Sequence, residues 1–229
     1  MVAYNRWNHL KIQGEFILSE KKGLFITFEG IEGSGKTTQA KRLFYFLKRQ
    51  GLSCVFTREP GGGKISEKIR RILLEPQNSQ MCALTELFLY EASRAQHVQD
   101  IIRPALKTGK IVLCDRFADA SLAYQGKGRG LNLNLIKELN QLAMNGLKPD
   151  LTFLIDLPAE KGLRRINHKK DRIEREKEKF HQRVRLGYLR LAKQEPERIK
   201  VLDGRKRIEE LQNEVRKITA RCIKIKKKI

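Results

Sequence analysis

Nowhere does this 229-residue chain stay apolar for the roughly 18 residues that a membrane-crossing helix needs, so a helical membrane protein is not expected. Its first 22 residues hold Trp7 and Phe16-Ile17-Leu18 among polar neighbours. They lack the continuous apolar core of a signal peptide and read as an extension ahead of a domain spanning 23–229. Cysteine is scarce. Cys54, Cys82, Cys114 and Cys222 form no C-x-x-C pair, which argues against a zinc site or a disulfide framework and for reduced, buried thiols in a cytoplasmic protein. The four histidines, His9, His97, His168 and His181, show no metal-ligand spacing. No repeat or low-complexity linker divides the chain, and its length suits one α/β domain. Acidic residues are outnumbered, 26 against 48 basic ones, for a formal charge of +22. Residues 161–229 carry +15 of it, from 25 Lys and Arg against 10 Asp and Glu. Such a surplus attracts nucleic acid through nonspecific phosphate contacts, or serves as a solvated surface with the cations an anionic ligand needs. The tail Lys224-Ile225-Lys226-Lys227-Lys228 reads as solvated.

What is present is more pointed. Residues 30–38, Gly-Ile-Glu-Gly-Ser-Gly-Lys-Thr-Thr, fit G-x-x-x-x-G-K-[ST]. They follow an apolar run, Leu24 to Phe28, and precede a helical stretch, Thr37 to Gln50. Strand, glycine loop and helix are the context this motif requires. Gly30, Gly33 and Gly35 let backbone N–H groups curl around a phosphate, and the helix N-terminus adds its positive end. Ile31, Glu32, Ser34 and Thr38 complete the loop; Lys36 would reach the outer phosphates and the Thr37 hydroxyl would hold magnesium.

Further strands are expected at 53–57, 110–114, 151–155 and 199–202, and helices around 65–73, 84–107 (bent near Pro104), 132–145, 174–193 and 207–220. Alternation of this kind argues for a parallel sheet of five strands flanked by helices on both faces, the architecture of a P-loop NTPase, with a short lid at about 164–174. Ligands of such sheets bind beyond the C-terminal strand ends, where Glu29, Arg58-Glu59, Asp115-Arg116 and Asp156 fall.

A phosphate loop binds nucleotide without saying what becomes of it. Arg58 and Arg116 close adjacent strands and could grip a second phosphate bidentately, which points to phosphoryl transfer between two substrates. Tyr90 and Arg94 are four apart and share a helix face; on spacing alone they read as a core-edge tyrosine with a surface arginine. Ser121, Tyr124 and Gln125 suggest only a polar helix face. His97 reads as a helix-surface or satisfied polar residue. The basic run Arg164, Arg165, Lys169, Lys170 and Arg172 suits a mobile cationic lid over a transferring phosphoryl group.

With these residues laid out, residues 23–220 resemble thymidylate kinases of the bacterial type. The resemblance rests on Phe28 to Thr38, Thr57-Arg58-Glu59-Pro60-Gly61-Gly62, Tyr90-Glu91-Ala92-Ser93-Arg94, Asp115-Arg116-Phe117, Tyr124-Gln125-Gly126 through Arg129-Gly130, and Pro149-Asp150-Leu151. It implies ATP- and Mg²⁺-dependent phosphorylation of dTMP to dTDP by a homodimer, with no specific nucleic-acid partner. It also implies roles. Lys36 and the loop amides hold the ATP phosphates, and Glu32 sits near the acceptor sugar hydroxyl. Arg58 and Arg116 orient the dTMP phosphate, Asp115 helps organise magnesium, Tyr90 stacks on thymine, and Arg94, Ser121 and Gln125 line the base site. Tyr124 crowds a ribose 2′-hydroxyl. Tyr90 replaces the usual phenylalanine, and Ala120 a frequent serine. The phosphate loop has no arginine, so the lid should supply the catalytic cation: Arg172 first, then Arg165. Rival readings are a related nucleotide or deoxynucleoside kinase with another acceptor, and a nucleic-acid-binding ATPase.

Overall fold

The computed structural model describes residues 23–226. The expected extension at 1–22 lies outside the described residues, as do residues 227–229. Five strands, β1 (Leu24–Glu29), β2 (Cys54–Arg58), β3 (Ile111–Asp115), β4 (Leu151–Asp156) and β5 (Ile199–Asp203), form one sheet in the order β2-β3-β1-β4-β5. Every pairing is parallel. Helices cover both faces, so strand residues of both parities are buried, as expected of a parallel sheet. Leu24, Ile26 and Phe28 of β1 pack with Leu43 and Leu47 of α1 (Lys36–Arg49) and Leu211 and Val215 of α9 (Ile208–Lys226). Phe25, between them, packs on the other face with Val112, Ile102, Leu106 and Phe117.

The register sets the site. Arg58 lies opposite Asp115, and Phe28 opposite Asp115 on the other side, so β1, β2 and β3 end level and present Glu29, Arg58 and Arg116 along one edge. Between the strands run α2 (Lys64–Leu74), α3 (Ala83–His97), α4 (Arg103–Lys107), α5 (Ala118–Ser121), α6 (Leu133–Met144), α7 (Ala159–Arg164) and α8 (Glu178–Gln194).

Three helical stretches differ from expectation, the last helix among them: α9 runs to Lys226, not 220. The stretch at 84–107 is interrupted at Val98–Ile102, a π segment just before Pro104 rather than a bend at it. Proline has no N–H to donate back along the helix, and the bonding pattern widens ahead of it. The charged helix begins at Glu178, not 174. The Asp171 carboxylate accepts from the backbone N–H of Ile173 and Glu174, which closes a separate turn before the helix can start. Among the described residues Cys114 is buried, Cys54 and Cys222 are half-buried and Cys82, against expectation, is exposed.

Candidate active site

The glycine loop leaves β1 and enters α1 through backbone that only glycine adopts easily. Gly33 has φ +68°, and a side chain there would meet the Gly162 carbonyl oxygen of α7 at 2.0 Å. Gly35 caps α1 at φ 94°. Lys36 is buried under the loop and donates to the Ile31 carbonyl at 3.2 Å. Burial pushes its ammonium down, and Arg116 repels it; Asp115, Glu32 and Glu29 oppose both. Thr37 Oγ1 donates to Asp115 Oδ2, and Asp115 Oδ1 is buried with no partner. A hydroxyl and a half-paired carboxylate suit a hard divalent cation that takes its other ligands from phosphate and water. No cluster of three or more His, Cys, Asp or Glu among the described residues could hold a metal by itself.

Two cavities meet at this loop. One, of about 310 Å³, is lined by Glu32, Arg58, Arg70, Tyr90, Arg116 and Tyr124, with Ala120, Ser121, Gln125 and Asp115 also on its wall. The other, of about 560 Å³, runs from the loop and the start of α1 to Lys206, Arg207 and Leu211. Gly33, Lys36, Thr37 and Arg165 belong to both. Two chambers joined at a buried lysine are the arrangement for moving a group from one bound molecule to another.

Arg116 dominates the wall between sheet and first chamber. Its backbone lies in the left-handed region, φ 72°, and its N–H donates to the Phe28 carbonyl at 2.9 Å. Nη1 donates to Gly30 O at 2.8 Å and to the Tyr188 hydroxyl at 3.2 Å, and Nη2 to Glu32 Oε1 at 2.9 Å. Glu32 also accepts from Tyr124 Oη at 2.6 Å and meets His181 Nδ1 at 3.0 Å. Burial would raise the Glu32 carboxyl, but Arg116, His181 and Lys36 together hold it well below the usual carboxylate range. Glu29, one turn of chain earlier, is its opposite. Burial, with Asp119 behind it, pushes Glu29 up to about 8 against the pull of Arg116, Tyr188 and the Phe117 N–H.

Of the residues expected at the site, Glu32, Lys36, Thr37, Arg58, Tyr90, Asp115, Arg116, Ser121, Tyr124, Gln125 and Arg165 all line the first chamber. Ser34, Gly35 and Thr38 line the second chamber, Gly30 and Ile31 line neither, and two residues expected at the base site and in the lid are also placed elsewhere. Arg94 is not a surface arginine and does not line the chamber. It is 1% exposed and donates to Glu59 at 2.9 Å, Glu91 at 2.7 Å, Asn140 at 2.5 Å and Ser121 at 3.1 Å, one layer behind the wall. Arg172, the first choice for the lid cation, turns inward: Nε donates to Leu73 O at 2.7 Å and Nη1 to Glu86 at 2.6 Å. A buried carboxylate captures it, whereas Arg165 stands exposed between the chambers, reaching Gly33 O at 3.4 Å. Arg58 pairs with Glu67 at 3.2 Å and remains half exposed at the chamber rim. Asp156, grouped with the strand-end residues, pairs instead with Arg185 at 2.7 Å and does not line the first chamber. His97 is satisfied and fully buried between Thr57 Oγ1 and Glu59 Oε1, not on a helix surface.

Four contributors were not singled out from the sequence. Arg70 lines the first chamber, its Nη1 donating to Pro60 O at 2.8 Å. Glu86 is buried and binds Gln125, Arg129 and Arg172. His181 and Tyr188 come from α8, where a seven-residue spacing puts both on the inward face. That spacing was the available signal for both.

Comparison with known proteins identifies the family. Residues 28–215 match the thymidylate kinase family. Thymidylate kinase of Desulfosudis oleivorans is 56% identical over 190 residues, covering 79% of this chain and 89% of that protein. Thymidylate kinase of Symbiobacterium thermophilum is 48% identical over 196 residues, covering 85% and 92%. Among solved structures, thymidylate kinase from Ehrlichia chaffeensis superposes with a TM-score of 0.71 at 38% identity, covering 86% of this chain and 98% of that one. The chain belongs to the thymidylate kinase family.

Proposed function

We propose that the chain transfers the γ-phosphoryl group of ATP to the phosphate of dTMP, giving ADP and dTDP. The observation that carries this is the pair of chambers sharing Gly33, Lys36, Thr37 and Arg165. ATP occupies the chamber toward Lys206 and Arg207, with its phosphates on the loop amides and Lys36. dTMP occupies the other, its phosphate toward Arg116 and Arg58 and its base toward Tyr90, Ser121 and Gln125. Glu32 accepts the sugar hydroxyl. Tyr124, its hydroxyl tied to Glu32, closes the space beside the sugar and favours the deoxy form. Arg94 acts from behind, orienting Ser121.

Transfer of this kind rests on positioning and on charge placed where it develops, so no histidine base is required. Lys36 and Arg165 face the transferring group from opposite sides, and Arg116 neutralises the attacking phosphate. Thr37 and the free oxygen of Asp115 would hold Mg²⁺. When bound, that ion offsets the negative charge of the phosphates.

No helix among the described residues is long and apolar enough to cross a membrane, in keeping with a cytoplasmic enzyme. Ile65 and Ile72 of α2, Leu84 and Phe88 of α3, and Leu135 and Leu142 of α6 are exposed on three helices, α3 lying against both others. An apolar layer of this extent supports a homodimer formed through that face. The test is ADP release from ATP and Mg²⁺ with dTMP, dUMP, dCMP and dGMP as acceptors. Turnover with dTMP well above the others is expected. Preference for another acceptor would overturn the base-site assignment, and ATP hydrolysis stimulated only by DNA or RNA would overturn the transfer reading.

A further inference from the structure

Tyr188 has one polar atom and two partners for it. Its ring is buried, 2% exposed, edge-on to Tyr124 at 6.1 Å, so packing fixes where the hydroxyl sits. That hydroxyl donates to Glu29 Oε2 at 2.7 Å and accepts from Arg116 Nη1 at 3.2 Å. Glu29 Oε1 in turn accepts from the Phe117 backbone N–H at 2.6 Å, the residue after Arg116. The chain of donors therefore closes on itself around Arg116, one end on its guanidinium and the other on the backbone beside it. Arg116 needs such support, since a non-glycine residue in left-handed backbone persists only where its surroundings hold it. Gly30 O and Tyr188 together occupy both hydrogens of Nη1, leaving Nε and one hydrogen of Nη2 for a ligand. Tyr188 does not line the acceptor chamber, so it meets the substrate only through Arg116.

We propose that Tyr188, held by Glu29, is a positioning residue that aims the Arg116 guanidinium at the phosphate of the acceptor nucleotide. The inference rests on the reading above that Arg116 grips that phosphate. It assigns the far end of α8, usually read as core, a part in acceptor binding. Because the lid segment leads directly into α8, the same helix ties the lid to the acceptor site.

The experiment compares dTMP with thymidine, which lacks the phosphate, by calorimetric titration of the wild type, Tyr188→Phe, Arg116→Ala and the double variant. Tyr188→Phe is expected to weaken dTMP binding about tenfold, the scale of one hydrogen bond to a charged group, and to leave thymidine unchanged. In the Arg116→Ala background the same substitution is expected to do almost nothing further. Glu29→Asp, which withdraws the carboxyl group while keeping the tyrosine, should give the same phosphate-selective loss. Equal weakening of both ligands, an unchanged dTMP preference, or an undiminished loss in the Arg116→Ala background would overturn the proposal. Wild-type protein that binds thymidine as tightly as dTMP would overturn the parent reading of Arg116, and this inference with it.

Discussion

Two arginines of the lid region divide their work by where their partners lie. Arg165 is exposed between the chambers and, among the described residues, bonds only to backbone carbonyls of Gly33 and Gly204, at 3.3–3.4 Å, contacts that a phosphoryl group can displace. Arg172 is 6% exposed and bound to a buried carboxylate that also holds Arg129. Arg165→Ala is expected to lower kcat by about 10²–10³ with little change in melting temperature. Arg172→Ala is expected to reverse the pattern: removing one partner of a buried ion pair costs about 3–5 kcal/mol, read as a clear drop in thermal stability. Loss of turnover on Arg172→Ala without loss of stability would reassign the lid cation. A second residue, Glu29, sets a pH dependence. Its carboxyl is raised from 4.5 to about 8 in the folded protein, so between those values the native state binds a proton that the unfolded chain has released. Its contribution to stability is complete below about 4.5 and is lost as pH rises through about 8, at a slope approaching about 1.4 kcal/mol per pH unit. Denaturant unfolding at pH 6 and pH 9 should show the decline, and Glu29→Gln should flatten it.

Among elements, α7 has the closest relation to the phosphate loop. A side chain at Gly162 would lie 2.4 Å from the Glu32 carbonyl oxygen, and one at Gly33 would strike Gly162, so loop and helix touch backbone to backbone. Because Arg165 follows α7 directly, any shift of that helix moves the lid cation and the loop together. Gly162→Ala is expected to cost about 1–3 kcal/mol through overpacking and to raise the KM for ATP more than that for dTMP. Unchanged ATP binding in a stable variant would contradict the coupling. The elements also show how far the sequence could be read. All five strands are short apolar runs bounded by glycine or charge, and they fall within a residue or two of expectation. The phosphate loop was legible because glycine, lysine and threonine do chemistry there that few other residues can. Burial of charge was not legible. Arg94, Arg172 and His181 look like surface residues in a polar, helical stretch, and only the fold brings Glu59, Glu86 and Glu32 to them from distant segments. The π segment at Leu122–Gly128, which seats Tyr124 and Gln125, is equally silent in a pattern of ordinary helical spacing.

The whole molecule is a parallel sheet whose strand ends carry the charge and whose helices α2, α3 and α6 expose six large apolar side chains. Phe88, 51% exposed on α3, lies two residues from the buried Glu86 that pairs with Arg172 of the lid. On the homodimer proposed above, Phe88→Glu is expected to yield a monomer by light scattering, and a variant that remains dimeric would move the interface elsewhere. The central claim, though, is that two chambers pass a phosphoryl group across Lys36. The direct measurement follows ATP labelled at the γ-phosphate, with and without dTMP, and asks where the label goes. Label is expected in dTDP in equal amount to the ADP formed, with almost none as inorganic phosphate, and no ADP is expected when dTMP is left out. Label released as inorganic phosphate at the same rate with or without dTMP would contradict it.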